Sequence, residues 1–414
     1  MARALSITLG GALLAVPWTA AAEAGFAERL RLHGGYTHVS NRTPAGDGWA
    51  GAIPELSYHV VEPRLRLSLS YAFGIMGHTA RPFEIANRLA VVSAYELSRR
   101  GVLDLAATAA QSSVTQAFVS DSAADTAFGA VPGLNTQLFT SSVVETTTWE
   151  TSPLVRIDQH VDGRYVVPIG TPSRGESYLA TASASAERRF EKDALGLMVL
   201  GGYAYASVPD ARDQQLVSAA LAPRWRRDIS RALAATVLAG PSVVTSPDAE
   251  TKTIVRPFAR AFLSLHQGDA RYDLTYTAGP RANQITATML DAHQVTLRAT
   301  VPLSIRYAVA LGASAGYLHG QRIDLRPNAI APRDLDVILA DVEASWSPAS
   351  AVRLFARYQF FDQLGGASSP QGDSLSVVRN VALLGVVLST MPTSQTSPTS
   401  QTSPTSQTSP TSPR

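Results

Sequence analysis

The stretch PRLRLSLSYAFG at 63–74 alternates without a break, with Leu65, Leu67, Leu69, Tyr71 and Phe73 set against Arg66, Ser68, Ser70 and Ala72. A period of two is the mark of a strand with one apolar and one polar face. In 154–167 the rows are Val155, Ile157, Val161, Tyr165 and Val167 against Arg156, Asp158, His160, Asp162 and Arg164. In 305–317, Ile305, Tyr307, Val309 and Leu311 oppose Arg306, Ala308, Ala310 and Gly312. In 351–361, Leu354, Ala356, Tyr358 and Phe360 oppose Arg353, Phe355, Arg357 and Gln359. Segments 252–266 and 334–346 are less regular, with Phe258 and Leu339 falling among the polar rows. A soluble β-protein turns its second row to water with Lys, Glu and Thr. Here that row is small or carries arginine, and the only lysines are Lys192 and Lys252. The apolar row is therefore expected to face lipid, and the other row an interior.

Short turn-like breaks recur at 61–63, 99–101, 151–153, 191–193, 227–230, 267–269, 302–304 and 347–350. Between them fall longer polar connections at 40–49, 76–84, 116–136, 169–175, 208–213, 246–251, 280–285, 318–333 and 364–374. Eight turns alternating with nine loops predict eighteen strands, or sixteen if soft boundaries merge, the softest hairpin being 137–168. Short turns on one side, long loops on the other and an even strand count are the plan of an outer-membrane barrel. A sheet that large would otherwise leave exposed edges. The expected fold class is thus all-β, a transmembrane antiparallel up-and-down β-barrel.

Only 16% of residues are charged and 45% are hydrophobic, below the roughly 25% charged of soluble domains. No stretch of the mature chain approaches the ~20 apolar residues of a spanning helix. Met1-Ala2-Arg3 followed by ALSITLGGALLAVPWTAAA reads as a signal peptide over 1–24, cut after Ala22 or Ala24. The barrel is expected over 25–390. Residues 391–414 repeat TSQTSP, which cannot build a core and reads as a disordered tail on the periplasmic side. The absence of cysteine excludes disulfides, thiolate metal sites and Cys nucleophiles.

No HExxH, GxSxG, phosphate-cradling loop or dinucleotide fingerprint occurs. No enzyme, cofactor or metal is expected; Asp158, His160 and Asp162, on one strand face between Arg156 and Arg164, read as a mixed-charge lumen stripe. No basic cluster interleaves with aromatics, so nucleic acid is not expected as a partner. By alternation the lumen candidates are Arg66, Arg156, Arg256, Arg260, Arg298, Arg306, Arg353 and Arg357, with Asp158, Asp341 and Glu343 as counter-charges. Arginine is in excess, which predicts an anion-preferring pore, with loop 116–136 as a constriction. Tyr95, Trp149, Phe190, Trp225, Tyr272, Trp346 and Tyr358 lie near the short turns and read as an aromatic girdle at the lipid interface.

The run NRLAVVSAYELSRRGVLDLAATA at 87–109, following PRLRLSLSYAFG, resembles outer-membrane barrels of myxobacterial-type exopolysaccharide export systems. The resemblance covers about the first third of the chain and carries no functional residue across. It implies an integral barrel of about eighteen strands working with a periplasmic polysaccharide-export protein. Two function classes stand beside each other: a transport barrel, and a closed structural barrel that binds partners through its loops or tail.

Overall fold

The computed structural model describes residues 23–40, 46–80, 82–113, 137–169, 176–207, 214–247, 253–283, 288–304, 308–323, 334–365 and 377–390. Residues 1–22 of the expected leader over 1–24, loop 116–136 and the expected tail over 391–414 lie outside these residues. Eighteen strands follow one another: β1 (Glu23–Val39), β2 (Gly46–Val61), β3 (Leu65–His78), β4 (Glu84–Ser98), β5 (Gly101–Ser113) and β6 (Gln137–Ser152). Next come β7 (Val155–Ile169), β8 (Ser177–Arg189), β9 (Asp193–Ala206), β10 (Gln214–Asp228), β11 (Leu233–Thr245) and β12 (Ile254–Gln267). The last are β13 (Ala270–Asn283), β14 (Thr288–Ser304), β15 (Val309–Arg322), β16 (Asp334–Ala349), β17 (Val352–Gly365) and β18 (Val377–Ser389).

Each strand pairs antiparallel with the next, and β1 pairs with β18, so the sheet closes as an eighteen-stranded barrel without an edge. The closing seam runs from Arg29–Ser389 to Val39–Arg379. Backbone bonds latch both its ends: Ser40 N donates to Val378 O at 2.8 Å, and Thr390 N to Glu28 O at 3.0 Å. The hairpin 137–168 is regular, pairing in continuous register from Gln137–Ile169 to Glu150–Arg156.

One turn differs from the sequence expectation. Pro302 and Ser304 read as a break, yet β14 runs through Pro302 and ends at Ser304. The ladder absorbs the proline at a register shift between Pro302 and Ser304, because a bulge leaves room for a residue that cannot donate. The alternation of 305–317 holds from Val309 onward, and 305–307 lie outside the described residues.

The rows of 63–74 separate as expected. Leu69, Tyr71 and Ile75 are exposed on the outside, while Ala72 and Met76 of the alternate row are buried. The outer wall continues this way through Leu195, Leu197 and Val199 to Leu384, which is 67% exposed. Each large apolar side chain left in water forgoes roughly 1.5–3 kcal/mol of burial energy, so a wall of them suits lipid. Trp149, Trp225, Trp346 and Tyr95 are exposed near the short turns. Tyr272 shares the outward row, and Phe190 lies in the β8–β9 turn beneath the Arg188 guanidinium, 5.8 Å from its ring. Tyr358 stands farther from its turn and bonds Asn380 Oδ1 through its hydroxyl at 2.6 Å. It belongs to a loop-ward set of tyrosines, with Tyr71 donating to Asn87 at 2.9 Å and Tyr317 to Asp336 at 2.6 Å.

Candidate functional site

Because side chains alternate, pairing register decides which residues share the interior. Arg156 stands opposite Glu187, Arg357 opposite Glu343, and Gln359 opposite Asp341. Arg66 lies on the inward row of β3, Arg256 and Arg260 on that of β12, and Arg298 on that of β14. Arg306 lies outside the described residues.

The turn-ward half of the lumen is a set of ion pairs. Arg156 Nε donates to Asp158 Oδ1 at 2.7 Å, and the Thr148 hydroxyl donates to the same oxygen at 3.0 Å. Arg224, on β10, lies 3.6 Å from both Asp158 and Glu187, tying β7, β8 and β10 together. On the other wall Arg357 Nε and Gln359 Nε2 both donate to Asp341 Oδ2 at 2.7 Å, and Arg353 pairs with Glu343. Arg271 pairs with Asp273 at 2.7 Å, and Ser264 donates to Asp273 at 2.7 Å. Arg256 pairs with Asp291 at 3.3 Å near the loop-ward end, where the β12–β13 ladder stops at Ala259–Ala278. Gly279 follows with φ 131°, a backbone conformation suited to glycine.

Arginine excess in the sequence therefore overstated the free positive charge of the wall. Among the described residues, Arg66 and Arg298 are inward cations without an ion-pair partner. Arg224 and Glu187 were not singled out from sequence, and Gln359 was placed on the inward row without a role. Arg224 and Glu187 flank short turns, where a charged residue reads as turn rather than lumen.

The loop-ward half is different. Leu138 of β6 packs in one buried cluster with Leu290, Leu318, Val337, Leu339 and Phe361 of β14–β17, and Val166 of β7 lies against it. β6–β7 and β14–β17 stand on opposite walls of the closed sheet, so this cluster bridges the lumen. Val337 is fully buried and Leu318 nearly so. A second bridge joins Ile323, just past β15, to Leu216 and Val244 of β10 and β11. Apolar side chains thus meet across the mouth from which the long loops depart. Phe258 and Leu339, the two residues that broke the polar rows, both lie in inward apolar clusters. Sequence alternation assigned their side but not what they touch.

Between the halves, Arg260 sits over the Phe258 ring, 5.4 Å from its centre, and lies within electrostatic range of His160 on β7. Asp158, His160 and Asp162 share the inward face of β7, bonded to Arg156, Thr146 and Arg164 respectively. A separate clamp holds the rim at β2–β4. There the His78 side chain, with no solvent exposure, lies 2.8 Å from Asp47 and 3.3 Å from Glu84. No group of ligating side chains suited to a metal ion occurs among the described residues.

No protein-family profile and no curated protein sequence matches the chain. Solved barrels do resemble it. One is Pseudomonas aeruginosa OccK2 (OpdF), solved in complex with glucuronate, with 12% identity over 89% of this chain and 99% of that one, TM-score 0.45. Another is the FrpB iron transporter of Neisseria meningitidis, with 10% identity over 89% of this chain and 82% of that one, TM-score 0.48. A third is Acinetobacter baumannii OccAB3, with 9% identity over 88% of this chain and 99% of that one, TM-score 0.43. Identities of 9% to 12% leave no residue to carry across. The export resemblance of 87–109 finds no support in these three.

Proposed function

We propose that the chain is an outer-membrane channel for anionic or hydroxyl-rich solutes, held shut at its loop-ward mouth by an apolar seal. The observation that carries this reading is the division of one closed lumen into a charged turn-ward half and an apolar loop-ward half. The apolar outer wall and the turn-side aromatics support the membrane assignment, and the leader supports the outer membrane. Arg66 and Arg298, which make no ion pair among the described residues, add positive charge at the turn-ward side, which favours anions. An apolar constriction gates by excluding water, so opening requires the β6–β7 wall to part from β14–β17.

No catalysis belongs to this reading, because the inward groups with acid–base chemistry on β7 are engaged in wall contacts. A polymer exit completed by a periplasmic polysaccharide-export protein is the finer alternative, but no lumen residue among those described favours it. The seal itself favours one second reading, a permanently closed barrel that acts through its loops.

Planar-bilayer conductance under a salt gradient tests the proposal, comparing the wild type with a Leu138→Ser/Val337→Ser variant. We expect a quiet wild type and a variant that conducts with anion preference. A variant that stays silent while folded supports the closed barrel. A variant that conducts with cation preference removes the anionic solute class.

A further inference from the structure

The lipid-facing wall is interrupted at one place. Glu145, Thr147 and Gln159 lie on the outward rows of β6 and β7, in step with the exposed Val143, Trp149 and Ile157. Thr147 stands directly opposite Gln159, and its hydroxyl donates to Glu145 Oε1 at 2.8 Å. Glu145 is near the middle of β6, and among the described residues no other outward carboxylate sits so far from both ends of its strand. An ionisable side chain facing hydrocarbon is costly and implies a partner. The Thr147 bond satisfies one oxygen; the other has no donor among the described residues, and the exposed Gln159 amide brings both donors and an acceptor to the same surface.

The surroundings allow a close approach. On β8 the outward residues are Ala182, Ala184 and Ala186, opposite Val161, Gln159 and Ile157, and Gly163 lies just loop-ward on β7. The flanking strands present Leu103 and Leu105 on one side and Leu195, Leu197 and Val199 on the other. A low, polar strip is thus framed by bulky apolar rows.

We infer that the outward face of β6–β8 is a self-association surface, on which a second copy of the chain supplies its Gln159 amide to Glu145. The inference rests on the membrane-barrel reading. A second copy is the occupant because the strip is complementary to itself, holding an acceptor-only carboxylate and an amide donor in one patch. Both copies sit the same way up in the membrane, so the symmetry axis runs along the membrane normal and the contact closes rather than propagating. Fatty chains offer Glu145 nothing in exchange for water, whereas the second barrel offers a hydrogen bond and excludes lipid.

The test is the mass of the protein in lipid nanodiscs, with heat-modifiable gel mobility reporting the folded barrel. The wild type should contain more than one copy per assembly. A Glu145→Leu/Gln159→Leu variant should be folded and monomeric, and a Val342→Ser control on the opposite wall should assemble like the wild type. Because the chain lacks cysteine, Gln159→Cys maps the contact: oxidation should give a product of twice the chain mass, at least tenfold more than Val342→Cys. A folded monomeric wild type, or an assembly unchanged in the double variant, overturns the inference. A crosslinked product of any other mass also overturns it, since another protein then covers the strip. Failure to show heat-modifiable mobility would instead count against the barrel reading itself.

Discussion

Arg357 of β17 reaches diagonally to Asp341 of β16, with Nε 2.7 Å from Oδ2 and both side chains largely buried, 12% and 16% exposed. Two opposite charges this close cancel at a distance. Removing one leaves the other buried and unpaired, which costs about 3–5 kcal/mol. Arg357→Gln should therefore lower the urea midpoint of the purified barrel, and adding Asp341→Asn should recover most of the loss. In the opened Leu138→Ser/Val337→Ser background, Arg357→Gln should also shift selectivity towards cations. Unchanged stability in the single variant would mean that Gln359, which shares Asp341, holds the carboxylate alone.

Arg66 and Arg298 should behave differently. Because Asp273, opposite Arg298, is already paired with Arg271, no carboxylate is stranded, and Arg66→Gln/Arg298→Gln should change stability by less than about 0.5 kcal/mol, as surface substitutions do. The anion-to-cation permeability ratio of the opened channel should fall. A ratio unmoved by this pair but moved by Arg156→Gln would transfer selectivity to the paired network.

The seal should respond to polarity more than to size. Leu138→Ala/Val337→Ala removes volume but keeps an apolar mouth, whereas the serine pair admits water. Conductance should rise several-fold more in the serine variant than in the alanine variant. Equal conductance in the two would mean that steric filling, not dewetting, closes the mouth.

The tryptophans offer a depth gauge. Trp149, Trp225 and Trp346 are exposed on the lipid side near the turns, whereas Trp49 is buried on the inward row, its Nε1 donating to Thr37 at 3.1 Å. Lipids brominated close to the headgroup should quench single-tryptophan proteins retaining Trp149, Trp225 or Trp346. A protein retaining Trp49 alone should stay unquenched; strong quenching there would place β2 the other way round.

Much of the barrel was legible because alternation is a local property. The rows of β3, β7 and β17 could be read residue by residue, and so could the turns at Gln267-Gly268-Asp269 and Glu191-Lys192-Asp193. Pro302 misled because proline marks turns in most contexts, and only a partner strand shows that a bulge has absorbed it. The lumen was less legible. Alternation shows that Arg357 points inward but not that Asp341 meets it. Nothing between residues 138 and 337 announces that Leu138 and Val337 share a cluster from opposite walls. Register within a hairpin is a near-neighbour fact, whereas the width of the lumen depends on all eighteen strands at once.

The seam between β1 and β18 has a consequence for assembly. Its two strands are the first and last in the chain, so their ladder is the pairing of greatest sequence separation in the sheet. Contacts that distant are slow to form, and until they do β1 presents an open edge able to recruit the wrong strand. The latches at Ser40–Val378 and Glu28–Thr390 clasp that ladder at both ends. The strand farthest along the sequence is thus the one that closes the last open edge of the sheet.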